Sequence, residues 1–320
     1  MNSFCRDYDF ELENIAHRIS ALNVKRILIQ LPEGLQRCAP EIVSRLHELT
    51  GRDLEIVISL NPSFGACLVD EGAAKEVRAE LILHFGHLEY PLYKPRITTL
   101  FVPAEYRASE INKLYDLIKP LCNSTSSRLC LATTAQHIGL VKNLVAQLAN
   151  SCNTEFRGIV LGCIPIDPRE CDKVIIVAGG SFHCMAQALY TPNKDVLCLD
   201  PYTYNLWNPR KDVDRILRVR YWKIVKAHNA RRWLIIDGFY GQSRPDIVRN
   251  LIEKLRKKGY SYTVAKVLRL DDAVLRNLGA EQYDAIVVVS CPRIPIDDLC
   301  LLYTSPSPRD LSTSRMPSSA

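Results

Sequence analysis

The 320-residue sequence has no apolar run of the roughly 18–20 residues that a membrane-spanning helix needs. Its opening, MNSFCRDYDFELENIAHRI, carries acidic residues and lacks the apolar stretch of a secretory signal. Together these absences predict a soluble, cytoplasmic protein. No block of five or six basic residues occurs and the formal charge is only +6, so neither a nucleic-acid tail nor direct nucleic-acid binding is expected. There are twelve cysteines, yet no close C-x-x-C pair of the kind that marks structural zinc. A reducing cytoplasm disfavours disulfides, which leaves burial, metal binding or catalysis as the roles of those thiols.

What the sequence does have is a recurring alternation. Apolar, β-branched runs such as RILIQL (26–31), LEIVISL (54–60), RLCLAT (128–133), GIVLG (158–162), KVIIVAGG (173–180) and YDAIVVVS (283–290) read as strands. Between them lie segments with 3.6-residue periodicity, among them APEIVSRLHEL, HIGLVKNLVAQLAN and RPDIVRNLIEKLRKKG. Strands alternating with helices predict an α/β fold with parallel sheets. RILIQLPEGLQ, LCLATTAQHIG and WLIIDGFYGQSR each read as a strand, a short turn carrying Gln36, Gln136 or Gln242, and a helix. We therefore expect three repeated α/β domains: residues 1–104 with Cys67, 105–210 with Cys163, and 211–300 with Cys291.

The three named cysteines each follow an apolar run, in NPSFGACLVDEG, GIVLGCIP and VVVSCPRIPIDD. Cys67 and Cys163 follow the second strand of their units, whereas Cys291 follows the third, so the repeat is inexact. Ligands of open α/β sheets gather beyond the carboxyl ends of strands, and three units facing one another would bring these thiols to one point. Three thiolates leave a fourth position open, which suits a four-iron cluster with one iron free for substrate. The competing reading is three unrelated buried thiols.

LPEGL (31–35), FGACLVDE (64–71), HFGHLEY (84–90), GCIPID (162–167), GGSFH (179–183) and SCPRIPIDD (290–298) resemble, in order and spacing, the diphthamide synthase family. The resemblance spans residues 10–299 and is to the first-step 3-amino-3-carboxypropyl transferase of archaeal type. It implies three α/β domains in a pseudo-threefold arrangement around a central 4Fe-4S cluster held by Cys67, Cys163 and Cys291. It also implies S-adenosylmethionine as substrate, reductive radical cleavage, a histidine of translation elongation factor 2 as acceptor, an electron donor, and a homodimer. A quinolinate-synthase-like dehydratase is the rival enzyme, against which FGACLVDE and SCPRIPIDD argue. A cluster-bearing partner subunit without turnover is the non-enzyme rival.

Single residues have two readings each. Glu33 either faces the active site or belongs to a plain Pro-Gly turn. Gly179 and Gly180 either let the backbone approach the nucleosyl substrate or simply end a strand. Gln242 and Arg293 either hold the amino acid part of that substrate or lie at the surface. His84, His87 and His183 read as satisfied structural histidines, and the basic stretch 213–232 reads as a solvated face or a contact for an acidic partner. Asp70 and Glu71 are assigned first to capping a helix start. Cys5, Cys38, Cys122, Cys130, Cys152, Cys171, Cys184 and Cys198 read as ordinary core thiols. After Asp298 the sequence turns into Ser, Pro and Arg, departs from the family, and predicts a non-native, disordered tail over 301–320 that leaves the third domain short.

Overall fold

A computed structural model describes residues 3–122 and 127–294; the tail expectation lies outside them. The first sheet has the strand order Glu55–Ser59, Arg26–Gln30, Leu81–Phe85, Thr99–Val102, all parallel. In the second, Arg128–Thr133 lies between Asn153–Ile159 and Lys173–Val177, followed outward by parallel Asp195–Asp200 and antiparallel Asn205–Trp207. The third places Arg232–Asp237 between Ser261–Lys266 and Ala285–Val288, again parallel. In each of these three sheets the first strand in sequence is thus flanked by the second and the third.

Those first strands are apolar through their middles because both their faces are covered there. Ile27 and Ile29 pack with Ile15, Ile19, Ile42 and Leu46 of the helices Leu12–Leu22 and Ala39–Thr50, while Leu28 turns to Val69, Ala74 and Ile82 on the other side. The same period-two division sends Leu234 and Ile236 to one core and Ile235 to another. Each of these strands runs into a short 3-10 turn, Glu33–Cys38, Ala135–His137 or Tyr240–Gln242, before its helix. The three glutamines read from the sequence occupy these turns.

Two strand expectations shift. GIVLG is not the second strand of its unit: the strand is Asn153–Ile159, a half-buried edge whose side chains are mixed because only one neighbour covers it. The short antiparallel pair Tyr8–Asp9 with Glu105–Tyr106 carried too few residues to show a period.

The larger correction concerns sulfur. The eight cysteines read as ordinary thiols form four disulfides, Cys5–Cys38, Cys122–Cys152, Cys130–Cys171 and Cys184–Cys198. Each joins elements that only the folded layers bring together: Cys130 sits in a strand whose neighbour begins just after Cys171, and Cys184 lies on the helix Phe182–Tyr190 that packs on Cys198's strand. Compartment arguments hid them, although intracellular disulfides are frequent in hyperthermophile proteins. Among the described residues the free cysteines are Cys67, Cys163 and Cys291.

Candidate functional site

Each free thiol follows a strand end. Cys67 lies in the loop between Glu55–Ser59 and the helix Glu71–Glu76, whose start is fixed by Asp70: its Oδ1 accepts from the Ala73 N–H (3.1 Å) and its Oδ2 from Ser59 Oγ (2.5 Å) and Asn61 Nδ2 (2.9 Å). Glu71 instead accepts from the Tyr93 hydroxyl at 2.5 Å and the Arg96 N–H at 2.9 Å. The capping role expected of Asp70 is what it performs. Cys163 follows Asn153–Ile159, and Cys291 follows Ala285–Val288.

All three thiols line one cavity of about 460 Å³, together with Tyr90, His87 and His183. Gly65 leaves room beside the first of them, since a Cβ there would lie 3.4 Å from Cys67 Sγ. Gly179, Gly180 and Arg293 also line this space. Gly180 adopts φ +70° and donates its N–H to Asp200 Oδ2 (3.0 Å), a left-handed turn suited to glycine. A Cβ at Gly179 would meet the Tyr202 ring at 2.6 Å.

A second cavity of about 390 Å³ shares Phe64, Cys291 and Arg293 with the first and is otherwise bounded by Glu33, Gln242, Arg269 and Asp271 among others. Glu33 is therefore apart from the three-thiol space, and it pairs with Arg269 at 2.9 Å. Gln242, 4% exposed, touches one of the sulfurs: its Oε1 accepts from Ser290 Oγ (3.2 Å) while its Nε2 donates to Cys67 Sγ (3.6 Å). Arg293 stacks over the Phe64 ring at 5.4 Å.

Burial dominates the electrostatics. It pushes the Cys67 thiol up, with the Gln242 amide opposing and Cys163 adding to the rise. Cys291 is pushed up to about 12 by burial, opposed by the Arg293 backbone N–H and reinforced by Cys67 and Cys163. The mutual influence of the three follows from their shared wall. Histidines here are held neutral: His87 and His183 are lowered to about 4 by burial, and His84 goes well below its usual value for the same reason. His84 Nδ1 meets Gln30 Oε1 at 2.9 Å and its Nε2 meets His87 Nδ1 at 3.0 Å, the satisfied arrangement expected of structural histidines.

Three residues that matter here escaped the sequence reading. Gln30 sits under the loop of Cys67, donating to the Leu68 carbonyl (3.0 Å) and accepting from the Asp70 N–H (3.0 Å). Tyr90, 5% exposed, has its hydroxyl 3.8 Å from Cys163 Sγ, and Arg244 Nη2 donates to that hydroxyl at 3.1 Å. A tyrosine and an arginine 154 positions apart give no joint signal in sequence.

Among the described residues no three His, Cys, Asp or Glu side chains stand close enough to grip one metal ion. The ligands of a polynuclear cluster bind different irons and stand further apart, so the donor set bears the comparison better: three soft thiols and no carboxylate, with the Gln242 amide N–H on Cys67, the Arg293 backbone N–H on Cys291 and the Tyr90 hydroxyl in contact with Cys163. The residues fit an iron–sulfur cluster.

The fold and cavity thus define an α/β protein with several parallel sheets and a pocket lined by three thiols. The chain belongs to the diphthamide synthesis protein family, whose model matches residues 31–306. It is 30% identical to the 2-(3-amino-3-carboxypropyl)histidine synthase of Pyrococcus horikoshii over 91% of this chain and 85% of that protein. Subunit 1 of the Homo sapiens 2-(3-amino-3-carboxypropyl)histidine synthase is 26% identical over 91% of this chain and 68% of its own length. A crystal structure of Dph2 from Pyrococcus horikoshii with a 4Fe-4S cluster superposes with a TM-score of 0.77 at 29% identity, covering 91% of this chain and 86% of that one. No helix among the described residues is long and apolar enough to cross a membrane.

Proposed function

We propose that this protein transfers the 3-amino-3-carboxypropyl group of S-adenosylmethionine to a histidine of translation elongation factor 2, the first step of diphthamide biosynthesis. Cys67, Cys163 and Cys291 would hold a 4Fe-4S cluster, with the three sheets as repeated domains, about 1–104, 105–210 and 211–300, disposed around it with pseudo-threefold symmetry. The observation that carries this reading is that the three described cysteines left unpaired are the three lining one cavity. When bound, the cluster supplies the electron that opens the sulfonium carbon–sulfur bond on the amino acid side.

The chain's own residues do the rest. Phe64, Leu88, Leu161 and Phe182 wall the cavity with apolar surface, which excludes water from a reactive carbon. Arg293, on the cavity wall, would pair with the substrate carboxylate, and the Gln242 amide holds the Cys67 sulfur. Gly180, where a Cβ would meet nothing within 4 Å, leaves the backbone bare where a nucleoside would lie, while Gly179 makes room for the Tyr202 ring beside it. A cytoplasmic homodimer served by an external electron donor completes the proposal.

The test uses anaerobically iron-loaded protein, dithionite, carboxyl-labelled S-adenosylmethionine and archaeal elongation factor 2. Label on the factor is the expected result. Methylthioadenosine without labelled factor would mean that cleavage is not coupled to transfer, and an intact cluster with no cleavage would contradict the enzyme reading.

A further inference from the structure

The environment of Cys163 contains an asymmetry of donors. Arg244 is anchored by its own backbone N–H on Asp237 Oδ1 (3.0 Å) and by Nη1 on the carbonyls of Gly241 (2.6 Å) and Ser243 (3.0 Å), which leaves Nη2 for the Tyr90 hydroxyl. A guanidinium has donors and no acceptor. The Tyr90 hydroxyl must therefore receive from Arg244, and its own hydrogen has to go elsewhere. Its other polar partner among the described residues is Cys163 Sγ. A neutral thiol could donate its hydrogen to the phenol oxygen, whereas a thiolate on iron accepts only, so the free phenolic hydrogen is the one it would take.

This contact also joins the three sheets. Tyr90 lies in the connection after Leu81–Phe85, Cys163 in the loop after Asn153–Ile159, and Arg244 at the start of the helix Pro245–Lys257. Gln242, two positions before Arg244 in the same turn, reaches Cys67 in the same manner. One turn of the third unit thus governs sulfurs of the other two, directly for Cys67 and through Tyr90 for Cys163.

We propose that Tyr90, oriented by Arg244, is a positioning residue that donates a hydrogen bond to the Cys163 thiolate and raises the reduction potential of the cluster. A donor to a thiolate stabilises the more negative, reduced state most, so its loss lowers the potential. The inference rests on the cluster assignment proposed above.

The experiment is potentiometry on iron-loaded protein, with iron content and melting temperature measured alongside. Tyr90→Phe is expected to keep the iron and move the potential to more negative values. Replacing Tyr90 with 3-fluorotyrosine, nearly isosteric and a stronger donor, is expected to move it to more positive values. Tyr93→Phe, which removes an equally placed phenol bonded to Glu71 and not to sulfur, is expected to leave it unchanged. Potentials that do not move in either Tyr90 variant, or that move alike in both or in Tyr93→Phe, would overturn the proposal. Cys163→Ala separates the two levels: iron lost there with Tyr90 variants silent overturns only this inference, whereas full iron retained in Cys163→Ala overturns the cluster assignment and this inference with it.

Discussion

Sulfur in this protein lives in two environments. Eight cysteines are paired inside the α/β layers, where seven of them are buried: Cys184 on its helix faces Cys198 on the strand it covers, Cys130 in its strand faces Cys171 just before the neighbouring strand, and Cys5–Cys38 and Cys122–Cys152 join helical segments and connections. Three are alone beyond strand ends, half-buried on a cavity wall, each with a polar partner: the Gln242 amide at Cys67, the Arg293 backbone N–H at Cys291 and the Tyr90 hydroxyl at Cys163. Burial separates the two groups only in part, since Cys122 of the paired group is half-buried as well. The difference is geometric: layer packing brings thiols into pairs, whereas strand-end loops from three sheets bring single thiols to a common wall. Under the proposed function, the thiols kept out of pairs are the ones that would hold iron.

The comparison breaks most sharply at the ligands themselves. Cys67→Ala, Cys163→Ala and Cys291→Ala should each abolish retention of iron and transfer to the factor, while Cys122→Ala and Cys152→Ala should leave both intact. Iron analysis after desalting, with the label assay, reads this; equal loss from all five would erase the distinction.

The paired group has its own signature. Among the described residues eight cysteines are paired, so thiol labelling of unfolded, unreduced apoprotein should leave those eight unmodified and modify the three of the cavity. Replacing Cys130 and Cys171 together by Ser removes a bridge that spans 41 positions and should cost about 2–4 kcal/mol in denaturant unfolding. Finding twelve thiols would dissolve the comparison.

A finer test probes the room around one sulfur. Gly65→Val puts branched carbon where a Cβ alone would already lie 3.4 Å from Cys67 Sγ, so iron retention should fall severalfold while the fold, read by circular dichroism, persists. Unchanged iron would show that the loop yields. Smallest of all, Asp70→Asn weakens the cap and the Ser59 and Asn61 contacts, costing about 1–2 kcal/mol of stability. Transfer by the folded, iron-loaded variant should stay near that of the parent; a hundredfold loss would move Asp70 from the scaffold into the chemistry.

Much of this was legible in the sequence because it is written in short, local patterns. The strands RILIQ, RLCLAT and RWLIID are apolar through their middles since both faces are buried there, and the glutamine turns after them recur at recognisable places. NPSFGACLVDEG shows its small residues, its cysteine and its cap in one stretch. What stayed hidden is pairwise and long-range: which cysteine faces which, that Asn153–Ile159 is an edge strand, and that Arg244 would meet Tyr90. Glu33 was nominated from a local Pro-Gly turn, yet its partner Arg269 lies 236 positions away and holds it in the neighbouring cavity.

The most direct measurement of the central claim maps which cysteines iron protects. Apoprotein and anaerobically iron-loaded protein, the latter holding about four irons as one cubane requires, are alkylated under native conditions and the modified residues are located by mass spectrometry. Protection by iron at Cys67, Cys163 and Cys291, together and at no other cysteine, is the predicted result. Full iron content with any of these three still alkylated would contradict it.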